Sequence, residues 1–140
     1  MKNTIYLDAS AIVALCIEDH PYRDSVVETI HKMPSSMTYA YSFLGLDESI
    51  YVLHRSGLTK KIAIKVITEI IIDANETKLV SSNTENQSAA DYLWVWNEYK
   101  IKPRDALHLH IMNEHKIKKI LTLDKDFVKL QKNARIEVIK

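Results

Sequence analysis

The sequence predicts a single three-layer α/β/α domain around a mainly parallel central sheet of four or five strands. Two observations carry this expectation. Short β-branched and apolar runs alternate with segments whose apolar residues recur at helical spacing, the pattern of a sheet covered by crossover helices. The chain of 140 residues has the size of one ordinary domain, and no linker, internal repeat or low-complexity stretch divides residues 1–140.

Thr4-Ile5-Tyr6-Leu7 reads as a short buried strand ending at Asp8, and residues 9–16 as a helix with Asp8 or Ser10 near its cap. Pro21 suits the first turn of the next helix, expected to about residue 32 with Val26, Val27 and Ile30 inward. After the break at Pro34-Ser35-Ser36, residues 37–39 form a weak strand. Helical spacing of Phe43, Leu46, Ile50, Tyr51 and Leu53 predicts a helix over 42–56 that Gly57 ends. Thr59 caps the next helix, whose stripe of Ile62, Val66, Ile67, Ile70 and Ile71 is expected in the core. Residues 78–80 read as a strand, 83–99 as a helix that begins at Asn83 or Thr84, and Pro103 opens a helix to about residue 116. Residues 119–122 read as a strand, 125–130 as a short helix, and 136–139 as a closing strand.

Composition narrows the function classes. With 46% hydrophobic and 26% charged residues the chain is globular rather than disordered. A lone Cys16 excludes an internal disulfide framework and a multi-cysteine zinc site. The opening residues carry no long apolar region, so no signal peptide is expected, and residues 62–72 are too short and too charged to span a bilayer. The expectation is a soluble cytoplasmic domain without membrane association. The net charge of +1 hides an asymmetry: residues 1–99 carry 8 Lys and Arg against 13 Asp and Glu, residues 100–140 carry 11 against 5. A basic surface beside an acidic pocket suits a polyanion handled through metal ions, although solvated helix faces would give the same count.

Four carboxylates sit unusually. Asp8 and Asp124 each follow a strand, and ligand sites in open parallel sheets form outside the carboxyl ends of strands. A helix N-cap is the plainer role for each. Glu48 has Leu44, Tyr51 and Val52 as its neighbours one turn away, so an unpaired carboxylate there would resist desolvation. Asp105 falls in the first turn of the helix opened by Pro103, where the helix dipole favours it. If the four converge, their repulsion calls for a divalent cation, and all-oxygen ligands select Mg²⁺ or Mn²⁺. Zinc is disfavoured: His20, His31 and His54 are scattered, and His108 and His110 point apart on their helix.

Tyr6-Leu7-Asp8-Ala9-Ser10, the helix with Glu48-Ser49-Ile50-Tyr51-Val52-Leu53, Arg104-Asp105-Ala106-Leu107-His108, and Leu121-Thr122-Leu123-Asp124-Lys125-Asp126-Phe127 occur in the order and near the spacing of the PIN domain. Over essentially the whole chain the sequence resembles that family. The resemblance implies a metal-dependent ribonuclease, often the toxin half of a toxin–antitoxin pair of the VapC type. It implies catalytic and metal-holding roles for Asp8, Glu48, Asp105 and Asp124, an additional acidic position at Asp126, and supporting hydroxyls at Ser10 and Thr122. RNA is the substrate it implies, with Mg²⁺ or Mn²⁺ as cofactor and a cognate antitoxin as partner.

Other residues have two readings. Arg104 could pair with a substrate phosphate or neutralise the acidic cluster. His108 could assist proton transfer, but a packed or hydrogen-bonded helix histidine is the commoner case. Trp94, Trp96 and Tyr99 could stack bases, with core packing or a dimer surface the plainer role. Helices between residues 42 and 75 carry more large apolar residues than one buried face needs; a second copy or a partner helix would cover them, or all pack inside the domain. The resemblance, whose members often pair through helices flanking the site, makes a homodimer the expectation. Two rival functions remain. An aspartyl-nucleophile phosphatase would commonly have a second carboxylate two residues after Asp8, where Ser10 stands. A non-catalytic, receiver-like or partner-binding domain would have its carboxylates as caps, but a receiver needs an acidic pair after the first strand and an Asp after the third.

Overall fold

The computed structural model describes residues 3–134 and 136–139; Arg135 and Lys140 of the basic segment, and Met1 and Lys2 at the start, lie outside the described residues. Strands β1 (Thr4–Leu7), β2 (Thr38–Tyr41), β3 (Thr77–Leu79), β4 (Lys119–Leu121) and β5 (Glu137–Ile139) form one sheet in the order β3-β2-β1-β4-β5, with every neighbouring pair parallel. The helices are α1 (Ala9–Cys16), α2 (Arg23–His31), α3 (Phe43–Arg55), α4 (Lys60–Ile67), α5 (Asn86–Tyr99), α6 (Pro103–Glu114), α7 (Lys125–Val128) and α8 (Leu130–Asn133).

The period-two alternation of strands divides the core. Ile5 and Leu7 of β1 join Ile12, Leu53, Ile67 and Ile71 on one face; Tyr6 joins Leu109, Met112 and Phe127 on the other. Central β1 is therefore buried on both sides, which is why its four residues are apolar or β-branched throughout. The chain leaves β1 for β2 and β3 on one side and for β4 and β5 on the other. That reversal opens a crevice at the carboxyl ends of β1 and β4, where Asp8 and Asp124 fall.

The expected α/β/α sandwich is observed, with five strands, all parallel. Several local expectations are corrected. In α3 the buried line is Gly45, Ser49 and Leu53, and Phe43 (66% exposed), Ile50 and Tyr51 (60%) face outward. Small residues at four-residue spacing let α3 close onto the β1–α1 segment: a Cβ at Gly45 would sit 3.8 Å from both Ile12 Cδ1 and the Leu7 carbonyl. The same holds for α4 and the turn that follows it, where Ala63, Ile67 and Ile71 are buried while Ile62, Ile64 and Ile72 are exposed. A π-helical turn over Thr68–Ile72, closed by Asp73 N donating to Thr68 O at 2.8 Å, ends that segment. Pro21 precedes α2 by two residues, and only Val26 of that helix is fully buried. Helix α5 begins at Asn86 with Trp94 and Trp96 exposed, β3 starts at Thr77, and the expected 125–130 helix is the pair α7 and α8.

Gly57 does end α3. It adopts φ of 98°, with its N donating to His54 O and Leu58 N donating to Leu53 O, the two bonds of a Schellman cap. Thr59 caps α4 by accepting from Ile62 N at 3.3 Å.

Candidate metal centre

Asp8 serves two purposes. As the N-cap of α1, its Oδ1 accepts from Ala9 N at 2.8 Å. Its Oδ2 accepts from Thr122 Oγ1 at 2.7 Å and from Ser10 Oγ at 3.1 Å. Leu123 N donates to Ser10 Oγ at 2.9 Å and Asp124 N donates to Thr122 Oγ1 at 3.0 Å, so the two hydroxyls tie the ends of β1 and β4 together. The buried Asp8 carboxylate thus has one fixed orientation at the crevice.

A hydrogen-bonded chain crosses from one helical layer to the other. Ser42, the N-cap of α3, accepts from Gly45 N at 3.1 Å and shares a hydrogen bond with Tyr6 Oη at 2.7 Å. Tyr6 Oη is also hydrogen-bonded to His108 Nδ1 at 2.5 Å. A carboxylate oxygen can only accept, so His108 Nε2 donates to Glu48 Oε1. Tyr6 is fully buried, and burial above all raises its phenol well beyond the ordinary range, so it remains a donor. His108 Nε2 also lies 3.6 Å from Asp8 Oδ1. Glu48 from α3 and His108 from α6 thus meet beside Asp8, past the carboxyl end of the central strand.

On the other side of the crevice, Asp124 caps α7 by accepting from Asp126 N at 2.9 Å, and Asp105 projects from the first turn of α6. Ligand atoms of Asp105, Asp124 and Asp126 all lie within 4.8 Å of one another, as do those of Asp8, Glu48 and His108. The two groups share one field. The Asp105 carboxyl is pushed up to about 6, first by burial, then by the charges of Asp124 and Asp8, with His108 acting in the opposite sense and Asp126 adding to the rise. The two acidic groups thus lie near enough for Asp8 to act on Asp105, without a lysine or arginine in ion-pair contact with them among the described residues.

A PIN domain family model matches residues 5–133. The chain belongs to the PIN domain family. A comparison with curated protein sequences finds no match. Solved PIN-like structures match over nearly their whole length. The Mycobacterium tuberculosis VapC20 structure, described as a Sarcin-Ricin loop cleaving toxin, aligns with a TM-score of 0.71 at 16% identity, covering 89% of this chain and 93% of that one. FitAcB from Neisseria gonorrhoeae aligns at 0.64 and 18% identity, covering 97% and 96%. VapBC-5 from Mycobacterium tuberculosis, a toxin–antitoxin family member, aligns at 0.56 and 17% identity, covering 99% and 98%. At these identities the likeness is one of fold.

Within this PIN chain the cap roles and the crevice positions of Asp8 and Asp124 coexist. Glu48 is half-buried, but its expected apolar setting is corrected, because Tyr51 and Val52 are exposed and its close partner is His108. Arg104 is exposed and, among the described residues, makes no ion pair with the acidic cluster. Core packing is excluded for Trp94 and Trp96; Tyr99 packs against the second core and edge-on to Trp94. His108 is the residue that sequence reasoning underrated. Weighing its spacing to His110 addressed a shared zinc site but not a partner across the sheet. Its position one turn after Asp105, on the face of α6 that buries Leu109 and Met112, was the available signal. His110 does point elsewhere: with Ser88 (2.9 Å) and Glu114 (3.2 Å) it joins α6 to α5, and Glu114 also accepts from Asn83 N.

Proposed function

We propose that this protein is a divalent-metal-dependent endoribonuclease, the toxin of a toxin–antitoxin pair, acting as a cytoplasmic protein. The observation that carries the reading is the pair of acidic groups, Asp8 with Glu48 and Asp105 with Asp124 and Asp126, beside the β1/β4 switch point of a PIN domain. The likeness in fold to VapC20, a Sarcin-Ricin loop cleaving toxin, and to VapBC-5, a member of a toxin–antitoxin family, supports RNA as substrate and an antitoxin as partner.

The donor set fits a hard cation. Every carboxylate offers oxygen, and His108 Nε2 carries the proton it donates to Glu48, leaving no lone pair there for a metal. Asp8, Asp105 and Asp124 would hold Mg²⁺ or Mn²⁺ directly or through water, Glu48 would hold the metal or its water, and Asp126 would be an outer or second-metal ligand. Bound there, the cation supplies an activated water and charge stabilisation on the scissile phosphate. The chain's own contribution is orientation. Thr122 and Ser10 fix Asp8, the Ser42–Tyr6–His108 chain fixes Glu48, and Arg104 at the start of α6 is free to meet a substrate phosphate. Both Asp8 oxygens accept hydrogen bonds, which disfavours the aspartyl-nucleophile reading.

Apolar residues left outside on α3 and α4, among them Phe43, Ile50, Ile62 and Ile64, support a homodimer. The test of the activity is cleavage of structured RNAs by the purified protein with Mg²⁺, Mn²⁺ or EDTA. Metal-dependent cleavage lost in Asp8→Asn and Asp124→Asn is the expected result. Cleavage that survives EDTA or both substitutions would refute the proposal.

A further inference from the structure

A cavity of about 290 Å³ opens beside the acidic crevice and shares Thr122 and Asp124 with it. One face of α2 with its N-cap Tyr22 forms one wall, where Tyr22, Ser25, Val26 and Thr29 recur at helical spacing. Val138 and Ile139 at the end of β5 close it below, and exposed Lys125 stands at its mouth. We propose that this cavity is a subsite for one unpaired nucleobase of the RNA substrate, adjoining the phosphate held at the acidic crevice. The inference rests on the ribonuclease reading and names the element that gives it base preference.

Size, chemistry and placement support it. A cavity of roughly 150 Å³ already accepts benzene, so this one has room for a purine or pyrimidine ring with part of its sugar. Its apolar floor and sparse polar wall are the usual make-up of a small-ligand site. Thr29 spends its hydroxyl proton on Ser25 O at 2.8 Å, which leaves Thr29 Oγ1 as an acceptor for a base amino or ring N–H. Ser25 Oγ makes no hydrogen bond with the described residues and can act in either sense. Tyr22 is 57% exposed at the rim, and its N donates to His20 Nδ1 at 3.1 Å, which braces the turn that carries it. An exposed, braced aromatic ring is a stacking platform for a base. A lysine at the mouth suits the neighbouring phosphate.

Two arms test the subsite and keep it separate from the nuclease reading. In EDTA, amide NMR shifts are followed while each of the four ribonucleoside monophosphates is added to the full chain, to Thr29→Val and to Tyr22→Ala. At least one nucleotide should shift the amides of Ser25, Thr29 and Lys125, with binding about fivefold or more weaker in the variants. In the second arm, random single-stranded RNA is cut with Mn²⁺, and one position beside the cut should show a base preference that Thr29→Val and Ser25→Ala flatten. Nucleotide shifts without RNA cutting would sink the nuclease reading alone. Cutting without base preference, together with no shifts at α2 or shifts unchanged in the variants, would overturn the subsite alone. A partner peptide that fills the cavity while nucleotides do not would overturn it as well. These α2 side chains lie at the cavity wall or rim, and a thermal melt verifies that each variant folds.

Discussion

Asp105→Asn should make the metal-free protein more stable above neutral pH while abolishing cleavage. The carboxyl of Asp105 is raised to about 6, by burial first and then by Asp124 and Asp8. A carboxyl whose folded-state pKa lies above its unfolded value of about 3.9 binds its proton more tightly when folded. Its presence therefore costs stability as pH rises from about 4 to about 6, and the loss persists above that window. Two units would correspond to about 3 kcal/mol. Asp105 is only half-buried, and solvent screening reduces this to roughly 1–1.5 kcal/mol. Removing the charge from the first turn of α6 forfeits about 0.3–1 kcal/mol of dipole interaction. At the midpoints of these ranges the net gain is about 0.6 kcal/mol, or roughly 2–3 °C in melting temperature for a chain of this size. The assay is thermal melting of both proteins in EDTA at pH 8 and pH 4.5, repeated at pH 8 with Mn²⁺. The variant should melt higher at pH 8, lose that advantage at pH 4.5, and gain less from Mn²⁺ than the parent. A variant that melts lower at pH 8 in EDTA, or by the same margin at both pH values, would refute the reasoning.

Tyr6→Phe removes the link between Ser42 and His108 in a fully buried position, and should cost about 1–3 kcal/mol in a denaturant melt; a neutral result would contradict the hydrogen-bonded chain. The two glycines should respond oppositely. Gly57→Ala, at φ of 98°, should destabilise by about 1 kcal/mol, whereas Gly45→Ala, whose new Cβ meets no atom closer than 3.6 Å, should be neutral or gain up to about 1 kcal/mol in chemical denaturation. Light scattering should find a homodimer that Ile64→Lys or Phe43→Lys dissociates, because both residues are about two-thirds exposed on the apolar α3–α4 surface; a parent that stays at 16.2 kDa up to high concentration would remove the dimer.

What the sequence made legible was whatever local chemistry decides. Central β1 is apolar or β-branched at every position because both its faces are covered, so Thr4–Leu7 and the Asp8 that ends it stood out. Gly57, Thr59 and Pro103 marked helix boundaries through φ, a side-chain cap and a missing N–H, and each sits where that chemistry places it. Side-chain direction on α3 and α4 was not legible. Large apolar residues look like a core stripe, yet close helix packing selects Gly45, Ser49 and Ala63 instead and turns Phe43, Ile50 and Ile64 outward. The acidic positions could be read one by one, with cap and site roles equally consistent, and in Asp8 and Asp124 both roles are present. The Ser42–Tyr6–His108–Glu48 chain was beyond sequence reasoning because its members come from three elements, β1, α3 with its cap, and α6, and only tertiary contact brings them together.

The central claim is that the carboxylates around the β1/β4 crevice jointly hold a divalent cation that RNA hydrolysis requires. The most direct measurement is a Mn²⁺ titration followed by electron paramagnetic resonance, with RNA cleavage read in the same samples, for the parent and for an Asp8→Asn/Asp124→Asn variant. The account predicts saturable Mn²⁺ binding in the parent, with cleavage rising along the same curve and both lost in the variant. Equal Mn²⁺ binding by the two proteins, or cleavage that does not follow occupancy, would contradict it.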